Sequence, residues 1–269
     1  MTVVGDRLLR VGQRNRGELI VIGLNEDEVD KLVVPYFALD RDFPAIKEDI
    51  ISRTDSDWLK RAAEAAEGIV ILRQDPWETV FSFIISQNNN IPRIRKIIRT
   101  MSREYGENLA EKSGIKKCPL SRINGAPCNE NCKDCGICYS FPTAKAVASR
   151  PEGMLSSHPG FRYKYLLDAA ERVVDGRTDL TDIARANSYE YTVEKLKEIL
   201  GVGDKVASCA ALFGFGNLEA FPIDVWMKRA IDTYFDGSLD VSALGKYRGV
   251  AQQYIFHYIR NLEGSNDKS

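Results

Sequence analysis

A lysine and an aspartate stand nineteen positions apart in this chain, each beside an expected helix start. Lys205 follows Leu200-Gly201-Val202-Gly203 and falls in the first turn of a helix expected over 204–213. The positive end of a helix dipole disfavours a cationic amine. It therefore favours the neutral, nucleophilic form, and Asp204 next door works against it. Asp224 lies in Phe221-Pro-Ile-Asp-Val-Trp-Met-Lys-Arg229, just before another expected helix. There it can cap the helix or steady a developing positive charge. Taken singly, most first-turn lysines are merely solvated and most such aspartates merely cap. The ordered pair is more specific than either residue.

Two further groups of residues have chemistry written in their spacing. Gln252 and Phe256 are four apart, hence on one face of one helix, and together offer an amide edge and a stacking face. Without more context they read as surface and core. Five of the six cysteines crowd between 118 and 138 in the pattern C-x₉-C-x₃-C-x₂-C-x₂-C. Two overlapping C-x₂-C steps suit tetrahedral zinc held by Cys128, Cys132, Cys135 and Cys138, with Cys118 as the spare. An iron–sulfur centre and simple thiols are the other readings.

The elements that must position these residues are mostly helical. The first 23 residues read as β, a hairpin of DRLLRV and ELIVIG around QRNRG. Asn25 with Glu28 forms an expected capping box, followed by Val29, Leu32, Val33 and Tyr36 on one helix face. Asp75-Pro76 and Ile91-Pro92 open an apolar helix at 76–86 and an amphipathic one at 92–103. In the latter, Ile94, Ile97, Ile98 and Met101 oppose a set of arginines. Residues 106–141 break the period and read as an irregular insert. Helical patterns resume near 142–150, 163–174, 180–186, 189–200, 204–213, 225–235 and 247–262, and GSNDKS reads as a frayed tail. The 269 residues carry 37 Lys+Arg against 38 Asp+Glu, a formal net charge of -1. That balance argues against a purely electrostatic nucleic-acid wrapper but leaves room for a local basic face. No apolar run approaches the ~20 residues of a membrane helix, and the N-terminus lacks an apolar signal core, so a cytoplasmic, nucleoid-associated protein without a membrane partner is expected.

The stretch from Leu196 to Cys209, helix, Gly-Val-Gly turn and second helix, resembles the phosphate-binding hairpin of the DNA-repair glycosylase superfamily. More motifs follow in order: YFALDRDF (36–43), LRQDPWETVFSFIISQNNNIPRI (72–94), FPT (141–143), GFRYKY (160–165), LGVGDKVASC (200–209), FPIDVWMKR (221–229) and GVAQQYIF (249–256). With these the chain resembles the 8-oxoguanine DNA glycosylases of the helix-hairpin-helix class, over residues 26–262.

The resemblance implies a mainly α, two-lobed fold with a short N-terminal β hairpin. Its expected parts are an N-terminal β remnant at 1–24 and a helical glycosylase domain at 25–264. One lobe spans 86–223 and carries the helix-hairpin-helix; the other joins 25–85 to 224–264. The resemblance implies that Lys205 attacks the sugar C1′ and forms a Schiff base, with Asp224 steadying the charge. Cys209 and Phe256 would sandwich a flipped purine whose edge Gln252 reads. Asn88 would fill the gap left in the duplex, Arg93 and Arg162 would contact the orphaned cytosine, and Phe161 would be the wedge. Asn89, Gly201, Gly203 and Lys228 complete the implied DNA-binding set. No organic cofactor is implied, and the expected partner is damaged duplex DNA bound by a monomer. Two departures stand out. The usual N-terminal domain is represented by little more than residues 7–22, without the segment that senses the oxidised base. No cysteine follows Cys209, so the C-terminal iron–sulfur loop of some relatives is not expected. The expected function is excision of 8-oxoguanine opposite cytosine with strand nicking. A same-fold enzyme for another lesion, or a metal-braced DNA-binding module, are the alternatives.

Overall fold

A computed structural model describes residues 2–15, 17–112, 122–123, 126–127 and 138–266. In chain order the strands are β1 (Thr2–Val4), β2 (Arg7–Asn15) and β3 (Glu18–Ile22). Then come α1 (Glu26–Glu28), a π turn at Val29–Val33, α2 (Val34–Tyr36), α3 (Phe43–Ser52), α4 (Asp57–Ala65), α5 (Pro76–Ser86), α6 (Ile91–Tyr105) and α7 (Leu109–Lys112). A two-stranded ladder, β4 (Arg122–Ile123) with β5 (Ala126–Pro127), precedes α8 (Ala144–Ser149), α9 (Tyr163–Val174), α10 (Leu180–Ala186) and α11 (Tyr189–Lys197). The chain ends with α12 (Asp204–Phe213), α13 (Val225–Tyr234) and α14 (Arg248–Asn266). No helix among the described residues is long and apolar enough to cross a membrane.

The chain folds into two compact units, one of residues 1–36, 77–180 and 199–201, the other of 37–76, 181–198 and 202–269. The turn between α11 and α12, expected inside one lobe, therefore straddles a unit boundary at 201/202.

In the first unit the N-terminal sheet is antiparallel in the order β1-β2-β3, with Val3 opposite Leu8 and Val11 opposite Val21. A hairpin was expected. The structure adds β1 and carries β2 on through Gln13, Arg14 and Asn15. These residues are exposed, so no apolar alternation marks them as strand. Leu8 packs with Leu109, Ala110 and Cys138. The capping box forms as expected: Glu28 N donates to Asn25 Oδ1 at 2.9 Å, and Asn25 N donates to Glu28 Oε2 at 3.1 Å. Beyond it the expected regular helix is corrected to a π turn between two short α segments, and only Val33 of the expected apolar face is fully buried. Helices α5 and α6 start at the two prolines as expected, because proline's fixed φ and missing N–H suit a first turn. Ile97 and Met101 of α6 are buried, while Arg93, Arg95, Lys96 and Arg103 are exposed.

In the second unit the core gathers α4 (Leu59, Ala62, Ala63), α12 (Ala211, Leu212), α13 (Met227, Ala230) and α14 (Ala251, Ile255, Ile259). Trp58 stacks on Tyr234 with centroids 4.6 Å apart. The backbone of α14 continues to Asn266, past the expected frayed end at Gly264. A lone glycine lowers helix propensity by about 1 kcal/mol without stopping the ladder.

Candidate active site

Helix α11 ends at Lys197 and α12 begins on Gly203. Gly201 has φ +79, and a Cβ there would lie 2.5 Å from the Tyr165 ring. The glycine is thus required both by its left-handed backbone and by the ring beneath it. Leu200 N donates to Asp168 Oδ2 at 2.7 Å, tying the turn to α9. Gly203 caps α12 with no side-chain hydrogen bond, so the first amides of that helix have no cap acceptor. Asp204, expected to oppose the chemistry of its neighbour, has its carboxylate 2.6 Å from Lys197 Nζ.

Lys205 is exposed in the first turn of α12, and Cys209 follows one turn later, only 5% exposed. Burial pushes the Cys209 thiol up to about 11; Lys205 acts against that rise and Asp224 adds to it. Lys205 and Asp224 are therefore both within electrostatic reach of one thiol. Asp224 is the N-cap of α13, its Oδ1 accepting from Met227 N at 2.9 Å. The second carboxylate oxygen is not used by that cap.

On α14, Gln252 is buried at 3% exposure rather than on the surface. Its Nε2 donates to Pro222 O at 3.2 Å, and its Oε1 accepts from Gln253 Nε2. Phe256 is half-buried against the second unit's core. Lys228 is exposed on α13. Two residues not singled out from the sequence join this group. The Arg260 guanidinium lies 5.6 Å from the Phe256 ring centroid and 5.7 Å from that of Trp226. The signal was available: Arg260 continues the four-residue spacing of Gln252 and Phe256.

The first unit holds the other expected set. In Ser86-Gln-Asn-Asn-Asn90 the three asparagines have separate tasks. Asn88 is exposed, with φ +46. Asn89 Nδ2 donates to Ile85 O at 3.0 Å and closes α5. Asn90 Oδ1 accepts from Arg93 N at 3.0 Å and caps α6. Phe161 is 50% exposed and meets Tyr165 edge-on at 5.9 Å. Arg162 is buried, with its guanidinium on the carbonyls of Gln87, Asn88 and Pro159. Burial and the nearby Arg93 charge hold the Arg162 guanidinium below the usual arginine range.

Of the cysteine set, Cys118, Cys128, Cys132 and Cys135 lie outside the described residues. Cys138 is buried, and its carbonyl accepts from Leu109 N at 2.8 Å. Among the described residues no group of three His, Cys, Asp or Glu side chains is arranged to hold a metal ion.

A glycine turn opening α12, a lysine in that helix's first turn and an aspartate capping a later one fit the pattern of a helix-hairpin-helix glycosylase. Comparison with known proteins agrees. Residues 1–80 match the family model described as 8-oxoguanine DNA glycosylase, N-terminal domain, a longer span than the hairpin at 7–22 taken as its remnant. The chain is 28% identical over 216 residues to an N-glycosylase/DNA lyase of Saccharomyces cerevisiae, covering 76% of this chain and 51% of that protein. It is 26% identical to an N-glycosylase/DNA lyase of Arabidopsis thaliana, covering 72% and 53%. The chain thus spans about half the length of these two relatives. It also resembles the crystal structure of Clostridium acetobutylicum 8-oxoguanine glycosylase/lyase in complex with double-stranded DNA containing cytosine opposite 8-oxoG. There the TM-score is 0.76 and the identity 32%, over 97% of this chain and 85% of that one. The chain belongs to the 8-oxoguanine DNA glycosylase family.

Proposed function

We propose that this protein removes 8-oxoguanine from duplex DNA and nicks the strand at the resulting site. Lys205 Nζ attacks the sugar C1′ as the N-glycosidic bond breaks, and the base leaves with the bonding electrons and takes up a proton. The sugar ring then opens as the C1′–O4′ bond breaks, the nitrogen giving up a proton and O4′ taking one, which leaves an imine at C1′; the imine acidifies the C2′ hydrogens, and β-elimination breaks the C3′–O bond with the phosphate as leaving group. Asp224 supplies a fixed negative charge beside the cationic sugar. Cys209 and Phe256 stack on the flipped base and Gln252 meets its edge, as base-flipping enzymes require. Asn88 and Phe161 fill and wedge the vacated duplex, and Arg93 meets the orphaned cytosine. Asn89 supports Asn88 from the end of α5. Gly201 and Gly203 let phosphate approach the amides of α12, and Lys228 adds charge beside it. The observation that supports this reading is the placement of Lys205 in the first turn of α12 one turn before the buried Cys209, with Asp224 as the N-cap of α13, both charges acting on that thiol.

The direct test is borohydride reduction with an 8-oxoguanine:C duplex, which freezes the Schiff base as a covalent adduct. An adduct formed by wild type supports the reading, and none with any lesion overturns it. A panel of other oxidised and alkylated bases distinguishes 8-oxoguanine from another lesion of the same fold.

We further propose that the cysteine-rich segment holds one structural zinc through Cys128, Cys132, Cys135 and Cys138, with Cys118 as the spare. Cys138, buried in an apolar cluster with Leu8, Leu109 and Ala110, fits a ligand that ties the segment to the first unit. Purified protein should contain near-stoichiometric zinc, and Cys132→Ser, Cys135→Ser or Cys138→Ser should release it. Metal-free protein of equal stability would overturn this.

A further inference from the structure

The second unit carries a surface cavity that the proposed chemistry does not use. Its volume is about 370 Å³, at the lower end of the range for small organic ligands. The start of α3, the loop after α12 and the turn before α14 meet there. Two cations line it, Arg41 ahead of α3 and Lys246 ahead of α14. Ile46, Leu218 and the Tyr247 ring give it an apolar wall.

Arg41 is the unusual member. Its Nη1 is buried, and no group among the described residues accepts from it. The carboxylates of the same stretch are engaged elsewhere. Asp40 Oδ2 lies 2.9 Å from Arg73 Nη2. Asp42 Oδ1 caps α3 by accepting from Ala45 N at 3.0 Å. Asp49 accepts from Arg53 Nε at 2.7 Å and from Arg53 Nη2 at 2.9 Å, and the Lys246 charge also reaches it. Burial first, and then the like charge of Arg73, hold the Arg41 guanidinium below the usual arginine range, against Asp40 and Tyr247. A buried donor without an acceptor costs stability, so the position favours an arriving acceptor. The loop after α12 adds a second unmet group. A Cβ on Gly216 would lie 3.4 Å from Arg41 Nη2, so this loop runs beside the guanidinium. Asn217, the next residue, is 5% exposed, and its Oδ1 has no donor among the described residues.

We propose that this cavity binds a nucleotide phosphomonoester, with the phosphate on Arg41 and Lys246 and the nucleoside against Tyr247, Ile46 and Leu218. Charge and shape both support the match. A phosphomonoester carries about −1.5 to −2 charges at neutral pH, which suits two cations better than a singly charged carboxylate does. The guanidinium offers a planar fork to phosphate oxygens. The nucleoside brings a flat apolar body for the wall, and its hydroxyl and amino donors suit an acceptor such as Asn217 Oδ1. Two sources carry this group: a free nucleotide and the 5′-phosphate end of a nicked strand. None of the lining residues belongs to the proposed catalytic or base-binding set, so the proposal does not depend on the glycosylase reading.

The experiment is a calorimetric titration of the full chain with deoxyguanosine monophosphate, deoxyguanosine, inorganic phosphate and benzoate, with thermal melts alongside. The nucleotide is expected to bind with a Kd below about 1 mM and to raise Tm by about 3–5 °C at ten times Kd. Deoxyguanosine and benzoate should each bind at least about tenfold more weakly, having lost the dianion. Arg41→Met should abolish binding while the free protein keeps or gains Tm, because a buried donor without an acceptor is gone. Lys246→Ala, at an exposed position, should weaken the nucleotide about threefold or more. Ala45 is exposed on the cavity's rim, so Ala45→Trp should fill the cavity and abolish binding without touching either cation. If Arg41→Met fails to fold, the last two variants decide. Competition by a 5′-phosphorylated strand but not by its unphosphorylated twin assigns the site to a strand end; no competition by either assigns it to a free nucleotide. No nucleotide binding up to about 10 mM, binding that survives both Arg41→Met and Ala45→Trp, or benzoate binding as tightly as the nucleotide overturns the proposal. Those outcomes leave borohydride trapping at Lys205 untouched.

Discussion

Helices α12 and α13 carry the two residues of the proposed chemistry, and they begin in opposite ways. Helix α12 starts on Gly203 with no side chain accepting from its first amides. Helix α13 starts on Asp224, whose Oδ1 takes the Met227 amide. An uncapped start leaves donors for an outside anion, whereas a capped one satisfies a donor and fixes the capping carboxylate in place. One helix start forgoes the stability of a cap, which on the proposed reading leaves room for phosphate. The other gains stability from the same group that provides the negative charge.

The strongest way to break this contrast is to remove the amine. Lys205→Gln should abolish borohydride trapping and excision while still binding lesion DNA, as gel shift and adduct assays would reveal. An adduct as abundant as wild type would mean that another nitrogen attacks. Asp224→Asn separates the two functions of the second helix start. The amide oxygen can still accept from Met227 N, so thermal stability should hold within about 0.5 kcal/mol. The lost charge should slow single-turnover excision by ~10²-fold or more. Equal losses of stability and rate would show that Asp224 is only a cap.

At the uncapped start the expected effects are on stability and binding. Gly201→Ala places a methyl in a left-handed backbone and against the Tyr165 ring, which should cost about 2 kcal/mol or more in a denaturant melt. A neutral result would mean that the turn relaxes freely. Gly203→Ser is the smallest and sharpest change. Gly203 has φ -101 and nothing within 4 Å of a Cβ, so serine fits and can cap. It should stabilise the fold by a few tenths of a kcal/mol and weaken DNA binding several-fold by occupying an amide. Tighter DNA binding by this variant would show that the first amides of α12 do not meet phosphate.

Much of this was legible in the chain itself. Asn25 with Glu28, Pro76 and Ile91-Pro92 marked helix starts because capping and proline geometry are local. The bounds of α9, α10 and α12 fell where apolar period and turn residues put them. Lys205 and Asp224 stood out as an ordered pair by type and spacing, whereas Gln252 and Phe256 read as surface and core until the family resemblance gave them roles. Local patterns failed where the exposed end of β2 has no alternation, and where the helix after Asn25 widens into a π turn.

The sequence by itself determined which residues can be nucleophile, cap and stacking face, since those properties belong to side-chain type and to neighbours within a turn. Only the tertiary structure decided what surrounds them. It buried Cys209 within reach of both Lys205 and Asp224, turned Gln252 inward onto Pro222, and set Arg260 over Phe256 and Trp226. It also placed the Arg162 guanidinium on the carbonyls of Gln87 and Asn88, residues 75 and 74 positions away in the chain. Contacts at that separation arise from packing between elements, and no period of 2 or 3.6 residues encodes them.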